Sequence, residues 1–342
     1  EEEFPKSLRF IHTCINEMLN PQNNIRDELP EWISTSRMIF LNKDPFSKEH
    51  PTLDNIRPIT ISSIIIKALE AVVMRRLLAS SHFNIPAKLC KTQIGFTELM
   101  ETSIHITKLA AYLLQKQNEN KKLLDERKNL KRENPSLTLP SAKIQETYVV
   151  FIDFKSAYDK VNHEKLFAKL LKYGIDADTI SLIRLIYNSA KVRIFGELDD
   201  NKYTGKLPKY PIRILRGTPQ GSLISPTLFN LYIDDLLQTL EENQVSACAY
   251  ADDLCFTASS TDEVESILRI IDRWSLNNDM EINWDKTKII KLLPRCSPVS
   301  ADSFKPLYHG KLKFVSEYKY LGVMLDHKMT LDPFIAQLQG RI

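Results

Sequence analysis

Residues 248–256 read Cys-Ala-Tyr-Ala-Asp-Asp-Leu-Cys-Phe, two adjacent carboxylates set between small and apolar residues. Aspartate is depleted in strands and is almost never buried unpaired, yet the flanks 245–250 and 254–258 both have the composition of short buried strands. The segment therefore predicts a β-hairpin with Asp252 and Asp253 at its tip. Two like charges side by side at a tight turn repel, and a divalent cation relieves them. The pair reads as half of a metal site.

A hydrophobic content of 43% supports a globular protein. Its 342 residues exceed what one compact core usually holds, so two or three subdomains are expected. Lys and Arg number 46 against 43 Asp and Glu, a net charge of +3, which excludes a polyanion-coating protein and an acidic tail. Any nucleic-acid contact must come from local patches. The five cysteines (14, 90, 248, 255 and 296) form no C-x-x-C unit and read as reduced thiols of an intracellular protein. No apolar run reaches the length of about 18 residues that a membrane helix needs, so a soluble protein with no membrane partner is expected. The chain begins without Met and stops as a new helical pattern opens at 332–342, which reads as a segment of something longer.

Along the chain, Leu8, Ile11, Ile15 and Met18 predict an amphipathic helix, and 37–41 a strand leading into the turn Asn42-Lys43-Asp44-Pro45. Pro58 restricts Arg57 to an extended conformation. Ser62 and Ser63 precede a helical run, 64–78, with Lys67, Arg75 and Arg76 on polar positions. The stretch 115–146 is the clearest break: a charged helix-former run, then Pro135 and Pro140, read as a solvated helical insertion plus loop. Tyr148–Phe154 is an apolar run of strand length. Asn162 caps a helix that Gly174 stops, and a second helix spans about 177–188. A strand is expected at 191–195 and a helix from Ser225 and Pro226 to about Glu242. Ser260 with Glu263 makes a capping box. This order predicts an α+β fold, helices backing an antiparallel sheet.

Asp153, at the end of its apolar run, is the natural third carboxylate. Taken alone it would read as a turn or cap aspartate. Three carboxylates on adjacent strand ends, however, can hold two Mg²⁺ about 3.5–4 Å apart, the arrangement suited to in-line phosphoryl transfer. Asp234-Asp235, by contrast, falls within a helix, where neighbouring side chains point about 100° apart and cannot share an ion. That pair reads as polar face, with Leu228, Leu231, Leu236 and Leu237 as core.

At this point the residues resemble a family. Phe-Ile-Asp-Phe-Lys-Ser-Ala-Tyr-Asp (151–159), Arg-Gly-Thr-Pro-Gln-Gly-Ser (216–222) with Leu-Ile-Ser-Pro-Thr-Leu-Phe-Asn after it, and Tyr-Ala-Asp-Asp (250–253) look like motifs A, B and C of reverse transcriptases. The likeness is closest to non-LTR (LINE-type) retrotransposon enzymes, with group II intron enzymes next. Asn-Ile-Arg-Pro-Ile-Thr (55–60), Gln-Ile-Gly-Phe (93–96), Ile-Asn-Trp-Asp-Lys-Thr (282–287) and Tyr-Lys-Tyr-Leu-Gly (318–322) continue the match in order, as fingers, motif D and primer-grip segments.

The resemblance implies a right-hand polymerase: fingers over 1–147, including the charged insertion, palm over 148–325, and the start of a thumb or connection over 326–342. It implies RNA-directed DNA polymerase activity with two Mg²⁺, or Mn²⁺ in their place, at a metal set of Asp153, Phe154, Asp252 and Asp253. RNA template, a DNA or RNA primer and dNTPs would be the partners. Tyr158 would be a steric gate against a 2′-hydroxyl, against the alternative of a core tyrosine. Gly217 and Gly221 would let the backbone approach a base pair, with Gln220 touching the incoming nucleotide, or would simply form a turn. Arg57 and Lys43 would reach the triphosphate, although the turn at Lys43 departs from the family's Pro-x-Pro-Gly-Lys. Lys286 would protonate the leaving pyrophosphate, or be a solvent-facing lysine.

Three other kinds of protein share parts of this pattern. Viral RNA-dependent RNA polymerases usually carry Gly-Asp-Asp in motif C and a second Asp where this chain has Tyr158. Telomerases usually have Val-Asp-Asp, and Gly-Ile-Pro-Gln-Gly in motif B. A non-catalytic maturase-like scaffold would typically have lost a metal carboxylate, and all three are present here.

Overall fold

The computed structural model describes residues 6–19, 28–43, 56–79, 85–96, 102–134, 146–194, 210–292 and 304–328. In chain order the elements are α1 (Lys6–Leu19), α2 (Glu31–Ser34), β1 (Thr35–Asn42), β2 (Ile56–Ile61), α3 (Ile64–Leu78), α4 (Ile85–Lys88), α5 (Thr102–Glu133) and β3 (Tyr148–Ile152). There follow α6 (Ala157–Lys160), α7 (His163–Lys172), α8 (Ala177–Ser189), β4 (Lys191–Ile194), β5 (Ile212–Arg213) and α9 (Ser225–Glu242). The chain closes with β6 (Ser246–Tyr250), β7 (Asp253–Ala258), α10 (Thr261–Asn277), β8 (Lys288–Lys291), β9 (Lys313–Phe314), β10 (Glu317–Tyr320) and β11 (Val323–Asp326). The mixed α+β content agrees with the reading from sequence. No helix of the described residues is long and apolar enough to cross a membrane. Pro135 and Pro140, Cys296 and the pattern at 332–342 lie outside the described residues, as do Asp44 and Pro45 of the first turn.

Two compact units interleave along the chain, one from 1–89 and 156–232, the other from 90–155 and 233–342. The first holds a four-stranded sheet, β2-β1-β4-β5, in which β1 pairs antiparallel with β2 and parallel with β4. Helix α3 starts where Ser63 caps it, its Oγ accepting from Ile66 N at 3.3 Å and donating to Ile33 O at 2.8 Å. Helix α7 is likewise capped by Asn162 and followed by Gly174 at φ +78°.

The second unit is built on a five-stranded sheet, β6-β7-β3-β8-β9. Every residue of β3 is buried, because both faces of the sheet are covered. Side chains alternate along a strand, so Phe151 on β3 and its partner Cys255 on β7 share one face, where Leu113 of α5, Ile290, Tyr320 and Leu325 pack with them. The α10 cap differs in detail from the expected box. Ser260 Oγ accepts from Glu263 N at 3.1 Å, but the Glu263 carboxylate accepts from Ser259 N at 2.7 Å rather than from Ser260.

Candidate active site

Strand β3 ends at Ile152, which pairs with Leu254, so Asp153 continues the strand opposite Asp253. By alternation Asp153 falls on the face of Phe151 and Asp253 on that of Cys255, the same face of the same sheet. The hairpin is tighter than predicted: Tyr250 pairs with Asp253, leaving only Ala251 and Asp252 in the turn, and Asp253 opens β7. Asp253 is accessible to solvent, yet its carboxyl is crowded. Burial, then the charges of Asp252 and Asp153, push its pKa up to about 6. The Tyr318 ring stacks on Phe151 with centroids 4.5 Å apart, and its hydroxyl is pushed up to about 12 by burial and by the same two carboxylates, Asp153 and Asp253.

These groups suit a divalent cation. They offer hard oxygen donors, and burial together with the charges of Asp252 and Asp153 raises the pKa of Asp253, a cost that bound positive charge would lessen. Among the described residues no group of three or more His, Cys, Asp and Glu side chains is placed so that it could hold a metal ion by itself.

Asp153 is held from behind. Its N–H donates to Thr287 Oγ1 at 3.1 Å and its carbonyl accepts from Asn283 N at 2.7 Å. Phe154 is buried, bridges Ile282 and meets Trp274 edge-on at 6.2 Å. Lys286 is exposed in the same 283–287 turn, its N–H bonded to Asn283 O at 3.2 Å.

The tip of the hairpin is held by residues to which the sequence alone assigned no role. Ala251 adopts φ +56°, a left-handed conformation unfavourable for a residue with a Cβ. Gln93, 4% exposed, accepts through Oε1 from Ala251 N at 3.1 Å and from Gly95 N at 3.0 Å. Ile94 N donates to Ala249 O and Ala249 N to Thr92 O, both at 2.9 Å, so 92–94 lies along β6 like a further strand. A Cβ on Gly95 would overlap Ala251 N and come within 3.0 Å of Tyr250 C. Upstream, Cys90 N donates to Asp234 Oδ1 at 2.7 Å.

That last bond corrects the reading of Asp234 as polar face. Asp234 is fully buried and also accepts from Gln238 Nε2 at 2.6 Å, while Asp235 accepts from Trp274 Nε1 at 2.8 Å. A buried carboxylate is stable only with such donors; Gln238 lies one turn along the same helix, while Cys90 and Trp274 come from segments far away in sequence. The four leucines around the pair are core, as expected.

The remaining predicted residues belong to the first unit. The Tyr158 ring stacks on Phe229 at 4.5 Å and 16°, and its carbonyl accepts from Thr218 N at 2.8 Å. Thr60 N donates to Gln220 O at 2.7 Å. The glycines of this loop face protein backbone: a Cβ on Gly217 would stand 2.8 Å from Asp159 Cα, and one on Gly221 2.5 Å from Thr60 O. His163 also ties the loop, its ring Nε2 2.8 Å from Gly217 O. Arg57 pairs with Leu41, and Lys43 follows the last residue of β1, so the two cations belong to the same end of this strand pair. Burial raises the pKa of Asp159, and the charge of Lys43 offsets part of that rise.

With this geometry established, comparison with known proteins decides the family. Residues 42–325 match the model described as "Reverse transcriptase (RNA-dependent DNA polymerase)". The chain belongs to the reverse transcriptase family. Curated relatives include the Pol polyprotein from a type-1 R2 retrotransposable element of Nasonia vitripennis, 24% identical over 92% of this chain and 28% of the relative. Others are the RNA-directed DNA polymerase from mobile element jockey of Drosophila funebris (24% identical; 91% and 31%) and the type-2 element R2DM Pol polyprotein of Drosophila melanogaster (26%; 93% and 28%). The chain thus spans under a third of the length of these relatives. Among solved structures, an apo telomerase of Candida tropicalis superposes with a TM-score of 0.50 at 13% identity, over 88% of this chain and 55% of that one, a likeness of fold. These relatives agree with the non-LTR resemblance read from the motifs.

Proposed function

We propose that the protein is the polymerase part of a non-LTR retroelement enzyme, copying RNA into DNA by adding dNTPs to a primer 3′-hydroxyl. The observation that carries this is that Asp153 and Asp253 share one face at one end of one sheet, with Asp252 beside them in the hairpin turn, and that burial followed by the charges of Asp252 and Asp153 raises the pKa of Asp253. Bound there, divalent cations, Mg²⁺ or Mn²⁺, supply activation of the attacking hydroxyl and neutralise phosphate charge. Asp153, Asp252 and Asp253, with Phe154 through its backbone, would hold them. Arg57 offers a planar fork and Lys43 a point charge to the triphosphate. The Tyr158 ring, backed by Phe229, denies space to a 2′-hydroxyl, and Gln220 meets the nucleotide. Lys286 delivers a proton to the departing pyrophosphate. In right-hand terms 1–147 are fingers, 148–325 palm, and the thumb begins after 325.

Primer extension on an RNA template with Mg²⁺ tests this. Wild-type protein should incorporate deoxynucleotides, Asp252→Ala and Asp253→Ala should lose at least about a thousandfold, equivalent to about 4 kcal/mol of barrier, and Tyr158→Ala should gain ribonucleotide incorporation. No incorporation by wild type, or undiminished incorporation by either aspartate variant, overturns the proposal.

A further inference from the structure

Helix α5 changes character along its length. Leu109 and Leu113 pack against Phe151 and Cys255, but beyond Leu113 no side chain of the helix is buried. Its outer half nevertheless has an ordered charge pattern. At about 100° per residue, Lys121, Arg127, Lys128, Lys131 and Arg132 fall within an arc of about 140° that contains the direction of Leu113. Glu119, Glu126 and Glu133 recur every seventh residue on the opposite side, with Lys122 the one cation of this stretch beside them. A helix that is merely solvated gains from opposite charges three or four apart. Lys116–Glu119, Lys121–Asp125 and Lys122–Glu126 are such pairs, but beyond them Arg127 and Lys131, and Lys128 and Arg132, are like charges at i, i+4, with Lys128 and Lys131 at i, i+3, each a repulsion. Lys131 and Arg132 in the last turn complement the helix dipole, but that effect fades within one turn and does not account for Lys121, Arg127 or Lys128. The exposed Lys128–Asp125 pair at 3.8 Å screens little of the row.

The row also has a direction. The face of α5 that carries it continues the face that packs on Phe151 and Cys255, and those positions share their side of the sheet with Asp153 and Asp253. We propose that the row from Lys121 to Arg132, about 16 Å long at 1.5 Å per residue, is a docking surface for the sugar–phosphate backbone of a template–primer duplex. The choice of a duplex rests on the polymerase reading above; the complementarity to phosphate rests on the charges alone. Each cation set against a phosphate releases condensed counterions, which makes the contact measurable through salt.

The test is fluorescence anisotropy of the protein with a labelled RNA–DNA template–primer duplex, and with single-stranded RNA of equal length, over a salt series. Neutralising the row (K121Q/R127Q/K128Q/K131Q) should weaken duplex binding at least about tenfold near 0.1 M salt and flatten the slope of log K against log salt by roughly three to four. The double variant K128Q/K131Q should do about half of that, and circular dichroism should show helix content retained in both. Neutralising the other face (E119Q/E126Q/E133Q) should leave the slope unchanged. An unchanged slope in the basic-face variants, a loss confined to single-stranded RNA, or a change only in oligomeric state overturns the proposal. Failure of the wild type to add nucleotides would defeat the polymerase reading and leave the binding result to judge this surface.

Discussion

Ala251 shows how much of the site depends on one backbone torsion. Its left-handed φ turns the chain within two residues so that Asp253 begins a strand opposite Asp153, and Gln93 supplies the acceptor for its N–H. Truncating Gln93 to Ala leaves the Ala251 and Gly95 N–H groups buried without that acceptor, at about 1–3 kcal/mol each. Thermal melts of Gln93→Ala should therefore fall by several degrees, and nucleotide addition by at least about tenfold; a variant equal to wild type in both would show the clamp to be idle. Gly95→Ala should be at least as damaging, since the atoms it meets are backbone. Asp253 makes the opposite prediction for stability. Its folded pKa of about 6 lies above the ordinary carboxylate value, so its ionised form weakens the metal-free fold at neutral pH and is relieved as pH falls through 6. Asp253→Asn should accordingly melt higher than wild type without Mg²⁺ at pH 7, and gain less on adding Mg²⁺.

Among the elements, those with strong local signals were legible in the sequence: the capped helices α3, α7 and α10, the all-apolar β3 and the hairpin. What was not legible came from long-range partners. Nothing within a few residues of Asp234 announces that the N–H of Cys90 will meet it, and so a fully buried carboxylate looked like helix surface. The sequence leaves the glycines of the 216–222 loop open between a base pair's approach and a turn, and the backbone they meet within the fold is that of Asp159 and Thr60. His163 ties this loop to α7. Burial lowers its pKa, so the unfolded chain binds the proton more readily and the contribution of the neutral ring is lost as pH falls below the ordinary histidine value of about 6.5. Equilibrium unfolding monitored from pH 7.5 to 5.5 should show stability declining, with a shallower decline in His163→Gln.

For the whole molecule, the consequential fact is that the chain passes between its two units after residues 89, 155 and 232. Neither unit is a continuous piece of sequence, so a cut at the sequence-level boundary of 147 removes strands and helices from both. Fragments 1–147 and 148–342 expressed separately should lack cooperative melts; a sharp transition in either would contradict this. The alternation along β3 and β7 reaches further still, into how such a sequence can change length over generations. Losing or gaining one residue inside either strand would turn its aspartate to the opposite side of the sheet and its apolar neighbours with it. Two-residue changes would keep the side but shift the strand end by about 7 Å. Lineages that stay active should therefore show length variation in the connecting segments and essentially none between Tyr148 and Asp153 or between Asp253 and Ala258.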